Sequence, residues 1–120
     1  MKKTLSIILA VILLLSAVAH IMSPGFYAPM IPSFIPVSLG NILATITEFT
    51  TAILLLIPKY RKWGGLSFMA LMITFLPLHI WDMFRDVPIV GPQPLTTIRL
   101  VFQFAFIFAG WWIYKTSKVI

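Results

Sequence analysis

The sequence predicts an all-α integral membrane protein, built as a four-helix bundle. Of its 120 residues, 60% are hydrophobic and only 10% are charged, whereas a typical soluble domain carries about 25% charged residues. Four apolar runs, residues 5–22, 38–57, 63–81 and 95–114, each approach the roughly 20 residues that a helix needs to cross a bilayer. The connections between the runs are short, which favours antiparallel neighbours. We therefore expect one transmembrane domain over residues 1–120.

The net charge of +6 indicates membrane orientation and not nucleic-acid binding, because the basic residues are unevenly placed. Only Arg85 and Arg99 fall toward one predicted side of the membrane. The other seven basic residues fall on the opposite side: Lys2, Lys3, Lys59, Arg61, Lys62, Lys115 and Lys118. This positive-inside pattern predicts that both termini are cytoplasmic. The chain has no cysteine, which excludes a disulfide relay, a thiolate zinc site and a cysteine-ligated iron–sulfur cluster.

The first run allows two interpretations. The basic start, the apolar stretch and the small residues 17–19 also match a secretory signal peptide. Cleavage would leave three spans and an external N-terminus. However, the apolar stretch continues to Met22, and Ser16 and His20 form an i, i+4 pair that suits a retained helix with an inward face. We therefore expect four spans.

The segment 23–37 is predicted to be a loop on the outer side, rich in proline and aromatic residues. Pro24, Pro29, Pro32 and Pro36 leave no room for a helix of useful length. The residues between them are too apolar for a free loop: Phe26, Tyr27, Met30, Ile31, Phe34 and Ile35. Two roles remain open, a lipid-facing anchor and a lid over a pocket.

The second run carries a polar stripe. Asn41, Thr45, Glu48 and Ala52 follow one another at the spacing of a single helical face. Pro58 is expected to end this helix, and the basic residues 59–62 are expected to form a short inner loop.

The third and fourth runs add polar residues to the same half of the bundle. Pro77 is expected to kink the third helix near its outer end, and His79 and Asp82 follow on one face. Arg99 and Gln103 share a face of the fourth helix and lie near its outer end. All four helices therefore contribute polar atoms to one outer-leaflet region.

A carboxylate in the middle of a membrane span needs a protein interior and a partner, and Arg99 is the expected partner of Glu48. Two readings remain open: an ion pair that only fixes helix register, or a ligand site. In a ligand site, Arg99 would hold an anionic or carbonyl oxygen and Glu48 would accept a proton. We predict that the ligand-binding residues are Glu48, Arg99, Gln103, His20, His79, Asn41 and Asp82.

The two histidines also have several interpretations. As interfacial residues, they would bond Asp82, Asn41 or lipid headgroups. Bis-histidine haem ligation has weak support, because no attachment motif is present. A metal site of His20, His79, Glu48 and Asp82 has no diagnostic spacing, and we predict no metal. A proton relay through these groups is a further alternative.

Several stretches of the chain resemble the DoxX-like family of small bacterial membrane proteins. They are His20 with the segment that follows it to Pro36, the run from Gly40 to Glu48, LLLIPKYRKWGG, FLPLHIWDM and TIRLVFQFAFIFAGWW. The matching positions are His20, Pro36, Glu48, Pro58, Arg61, Pro77, Arg99 and Gln103. The resemblance implies a four-helix protein of the bacterial cytoplasmic membrane. It also implies association with membrane redox complexes, including thiosulfate:quinone oxidoreductase, or with assemblies that counter oxidative or thiol stress.

The preferred hypothesis is a small membrane subunit of a redox system, with a polar pocket at Glu48 and Arg99 for a quinone-like or other lipophilic ligand. One alternative is a structural or assembly protein whose ion pair only fixes the bundle. The other is a proton-coupled transporter or lipid-modifying enzyme using Glu48, His79 and Asp82. Four short helices leave little room for alternating access, so a transporter would need to be a homodimer.

Overall fold

The structure is a computed structural model that describes residues 1–85, 88–89 and 91–118. Within these ranges the chain is helical and contains no strand. The helices are α1 (Lys2–Met22), α2 (Pro24–Tyr27), α3 (Val37–Leu56), α4 (Arg61–Met83) and α5 (Leu95–Thr116), with short 3₁₀ turns at Ala28–Met30 and Pro58–Tyr60.

The four predicted spans are confirmed as four helices long and apolar enough to cross a membrane. The prediction was wrong at the start of the third. Residues 61–62, expected in a loop, form the first turn of α4. The reason is tertiary, since Arg61 is buried and its Nε donates to the Leu55 carbonyl at 3.1 Å. That bond satisfies a carbonyl at the end of α3.

The proline-rich segment forms only short helical pieces, as its composition predicts. Pro24 starts the single turn of α2, where a missing backbone N–H costs nothing. Pro36 precedes the first residue of α3. Pro77, in contrast, lies inside α4, and the helix continues beyond it to Met83.

The long helices pack as two close pairs, α1 with α3 and α4 with α5, which are joined where α3 contacts α4. Two glycines permit the closest approaches. A Cβ on Gly64 would lie 2.7 Å from the backbone nitrogen of Leu55, and one on Gly65 would lie 2.7 Å from that of Tyr114. Small residues allow helices to approach backbone to backbone in this way. Gly64 lies at the start of α4 and contacts the end of α3 at Leu55. The start of α3 and the end of α4 can therefore lie farther apart.

Basic side chains gather at the end of the bundle that holds Gly64. Lys2 Nζ donates to the Thr116 carbonyl at 2.7 Å, and Lys62 Nζ donates to the Tyr114 carbonyl at 3.2 Å. Cations near these free carbonyls also interact favourably with the helix dipole. These lysines thus satisfy carbonyls at the end of α5, in addition to any role in membrane orientation.

The surface of the four long helices is strongly apolar. Large side chains such as Leu15, Val101 and Phe108 are each more than 60% exposed. A soluble monomer rarely leaves so much contiguous apolar surface in water. The fold therefore indicates a multi-pass membrane protein.

Candidate ligand-binding cavity

A cavity of about 770 Å³ lies within the bundle, which is within the usual range for small-molecule sites. Its walls come from α1, the segment 23–36, α3, α4 and α5. Most of the wall is apolar, including Leu13, Phe68 and Leu71. Among the described residues, the polar lining consists of Ser16, His20, Tyr27, Thr47, Glu48, Thr74, His79 and Arg99.

The cavity reaches the protein surface between α3 and α4. Leu43 and Thr47 on α3, and Thr74 and Pro77 on α4, line the cavity and are also exposed. The two threonine hydroxyls donate to carbonyls of their own helices, at 2.8 Å to Leu43 and 2.8 Å to Ala70. Because these hydroxyls are already bonded, the opening is effectively apolar.

Glu48 pairs with His20 and not with Arg99, so the predicted pairing was wrong. His20 Nε2 lies 3.3 Å from Glu48 Oε1, and both side chains are largely buried. Among the described residues, no carboxylate lies within 4.0 Å of the Arg99 guanidinium. Sequence reasoning missed the His20 pairing because Arg99 carries a permanent charge, whereas histidine is charged only when protonated.

Asn41 fixes the orientation of the His20 ring. The Asn41 amide nitrogen donates to the carbonyls of Pro24 at 3.3 Å and Val37 at 3.2 Å. Its oxygen therefore faces His20 Nδ1, at 2.8 Å, and accepts a hydrogen from that nitrogen. With Nδ1 protonated, Nε2 is left to face Glu48, so a favourable contact there requires one shared proton.

Tyr27 and Ser16 complete the surroundings of this pair. The Tyr27 ring stacks on the His20 ring with centroids 3.8 Å apart and planes 22° from parallel. Ser16 lines the same cavity, one turn before His20 on α1. Burial, and then the charge of Glu48, raise the pKa of Tyr27 above its ordinary value, although the nearby Ser16 hydroxyl opposes this. The phenol is therefore protonated at neutral pH.

Arg99 and His79 bring unpartnered nitrogen atoms to the cavity. Arg99 Nη1 and His79 Nδ1 are buried and have no hydrogen-bond partner in the described structure. The guanidinium carbon of Arg99 lies 5.7 Å from the centre of the Phe106 ring, within the range of a cation–π contact. Buried polar groups in proteins are nearly always hydrogen-bonded, so these two nitrogen atoms have the capacity to bind a molecule in the cavity.

Three predicted site residues do not line this cavity. Gln103 is fully buried, and its amide nitrogen donates to the Met72 carbonyl at 2.6 Å, which ties α5 to α4. Asn41 lies behind His20. Asp82 accepts from the backbone of Ile89 at 2.7 Å and therefore shapes the chain beyond α4.

The metal set considered as an alternative, His20, His79, Glu48 and Asp82, is not assembled. The described residues contain no group of three or more His, Asp or Glu side chains arranged to hold a metal ion. Glu48 and His20 are the pair that the structure does bring together.

The segment 23–36 lies over the cavity, and several of its residues line the wall: Phe26, Tyr27, Met30, Ile31, Pro32 and Ile35. Arg85 holds it from outside, since Nη1 donates to the Pro29 carbonyl at 2.8 Å. The sequence left open a lid or a lipid-facing anchor, and the choice between these two roles stays a prediction. Tyr27 could not be singled out from the sequence, because an aromatic beside prolines also suits a membrane interface.

Fold and cavity together define a small helical membrane protein with a partly polar internal pocket. The chain belongs to the family described as a domain of unknown function (DUF8561), whose family model matches residues 9–114. The matched range contains every described residue that lines the cavity. No curated protein and no solved structure matches the chain.

Proposed function

We propose that this protein binds a lipophilic molecule with an oxygen-bearing polar end, inside the membrane. The observation that carries the proposal is the cavity of about 770 Å³, whose walls are apolar and whose polar lining includes unpartnered donors. An apolar pocket with a few convergent polar groups is typical of small-molecule sites.

The polar groups have distinct roles in this proposal. Arg99 Nη1 and His79 Nδ1 have free hydrogen-bonding capacity and would hold the ligand oxygen. The Glu48–His20 pair, at 3.3 Å, would exchange a proton with the ligand or with its surroundings. Ser16 and Tyr27 would keep that pair in place.

The apolar opening between α3 and α4 supports entry from the bilayer. In a membrane, the exposed Leu43 and Pro77 would contact acyl chains. A lipophilic molecule could then enter sideways, without crossing an aqueous phase. The segment 23–36 would close the cavity at the end of the bundle.

We further propose that the basic end of the bundle faces the cytoplasm, in keeping with the positive-inside rule. The cavity would then lie toward the outer leaflet of a bacterial cytoplasmic membrane. The DoxX-like resemblance supports a quinone-like ligand and a membrane redox protein as partner.

The test is native mass spectrometry with lipid extraction and a visible absorption scan on gently purified protein. Wild type is compared with Arg99→Gln and Glu48→Gln, and with Lys59→Gln as a control at an exposed position outside the cavity. We expect a discrete ligand in wild type and in the control, and its loss in both cavity variants. Bulk phospholipid alone in all four samples would overturn the proposal.

A structural role is the second candidate, because the Asn41 network joins three segments of the chain. Asn41 connects His20 on α1, the Pro24 carbonyl of α2 and the Val37 carbonyl of α3. If this network and the Glu48–His20 contact serve only to hold the helices together, Glu48→Gln will lower thermal stability and leave the bound molecules unchanged. The same samples therefore separate the two candidates.

A further inference from the structure

We infer that the cavity selects an amphiphile with an anionic head, a carboxylate or phosphate oxyanion on an apolar chain, bound by Arg99. This inference rests on the proposed function, narrows its oxygen-bearing polar end to an anion, and favours such a head over the neutral quinone-like ligand considered above. It follows from the charges that face the cavity and from the two nitrogen atoms that no described residue satisfies.

The Glu48–His20 pair does not neutralise Arg99. Nε2 and Oε1 lie 3.3 Å apart, although Oε1 makes no hydrogen bond to any described residue, and this contact is favourable only when a proton lies between the two groups. A pair that holds one such proton has no net charge and offers Arg99 no counter-ion. The polar side chains around the pair, Asn41, Ser16 and Tyr27, are neutral.

Asp82 does not neutralise Arg99 by direct contact either. This carboxylate is buried, accepts from the Ile89 backbone at 2.7 Å and lies 3.9 Å from Arg85 Nε. The contacts that are described for Asp82 thus lie with residues 85 and 89. His79, one turn before Asp82 on the same helix, contributes a ring nitrogen to the cavity and not a carboxylate. Among the described residues that line the cavity, Arg99 is therefore the one permanently charged cation, and no carboxylate of these residues contacts it.

An uncompensated guanidinium inside a membrane protein is costly, and such groups normally pair with an acid. A neutral carbonyl would accept a hydrogen bond from Arg99 and leave the charge unpaired. A carboxylate or phosphate would accept the hydrogen bond and also neutralise the charge, because its oxygens match the planar donor fork of arginine. His79 Nδ1 can donate to the same head when it carries the hydrogen.

The apolar part of the ligand would extend away from this head. Phe106 packs beneath the guanidinium, and Leu71 and Phe75 continue the apolar wall. The opening between Thr47 and Thr74 allows part of a long chain to remain in the bilayer.

The experiment measures binding of defined probes to purified, delipidated wild-type protein in a nonionic detergent. The probes share a sixteen-carbon chain: palmitate, methyl palmitate and palmitoyl lysophosphatidate, with decylubiquinone as a neutral quinone. We expect an anionic probe to bind about 10- to 100-fold more tightly than methyl palmitate, as a charged hydrogen bond implies. Palmitate against lysophosphatidate then identifies the head as carboxylate or phosphate.

Variants add a second readout. The anion preference should disappear in Arg99→Gln, persist in Arg99→Lys and remain unchanged in Lys59→Gln. If Arg99→Gln fails to fold, the wild-type preference and the Arg99→Lys result still decide the question.

The outcomes separate the two proposals. Equal affinity for palmitate, methyl palmitate and decylubiquinone would overturn the anion inference and support the broader binding proposal. No binding of any probe would overturn both.

Discussion

Replacing Asn41 with leucine should disturb the polar network that orients His20. Leucine has the same number of side-chain heavy atoms with the same branching, so the change mainly removes hydrogen bonds. The bonds lost are the 2.8 Å contact with His20 Nδ1 and those to the Pro24 and Val37 carbonyls at 3.3 and 3.2 Å. His20 Nδ1–H is left unpaired in a site where its side chain is only 12% exposed.

The magnitude follows from these contacts. A buried donor left without a partner costs about 1–3 kcal/mol, and the remaining bonds contribute about 0.5–1.5 kcal/mol each when well formed. The bonds to Pro24 and Val37 are long, and Val37 lies at the start of α3, so we assign them the lower value. We therefore expect a loss of about 2–4 kcal/mol in the free energy of unfolding.

The assay is reversible unfolding by sodium dodecyl sulfate in mixed micelles, followed by far-ultraviolet circular dichroism. Thr45→Val is the matched control on the next turn of α3, because the Thr45 hydroxyl bonds only its own helix, at 2.8 Å to the Asn41 carbonyl. It should cost less than about 0.5 kcal/mol. In parallel, ¹⁵N shifts of the His20 ring should report loss of the Nδ1–H tautomer in Asn41→Leu alone. A stability like that of the control, with an unchanged tautomer, would refute the reasoning.

Two further predictions concern the contacts that shape the cavity. Gly64→Ala should lower the unfolding free energy by about 1–3 kcal/mol, because its Cβ would lie 2.7 Å from the backbone of α3. Gly25→Ala is the control and should be neutral in the same unfolding assay, because its Cβ would lie within 4 Å of no described residue other than its chain neighbours. A neutral Gly64→Ala would show that α3 and α4 separate freely. Arg85→Gln should remove the 2.8 Å bond to the Pro29 carbonyl and loosen the segment 23–36. Hydrogen exchange should then increase in that segment and not in α1, and unchanged exchange would contradict a lid held by Arg85.

The helices could be predicted from the sequence because their cause is local. Backbone groups in hydrocarbon must bond within their own segment, so an apolar run near membrane length forms a helix almost regardless of its neighbours. Prolines set the limits of the segment 23–36 for a similarly local reason. The start of α4 was mispredicted because Arg61 is held by a carbonyl of the preceding helix.

The candidate site was only partly predictable. Polar residues inside apolar runs stand out in the sequence, and four of them, Glu48, Arg99, His20 and His79, line one cavity. Gln103 is also a polar residue inside an apolar run, yet its side chain joins α5 to α4 through the Met72 carbonyl and does not line the cavity. Periodicity gives the face of a helix on which a residue lies, but not the neighbour that this face meets.

The sequence by itself determined four membrane-length helices, a basic end and a set of polar residues too costly to leave in lipid. Only the tertiary structure decided which of those residues are partners. The difference is physical: apolar length and helix periodicity act within a segment, whereas a hydrogen bond depends on the rotation and separation of two packed helices. The pairing of His20 with Glu48, and the cavity onto which Arg99 opens, arise from that packing.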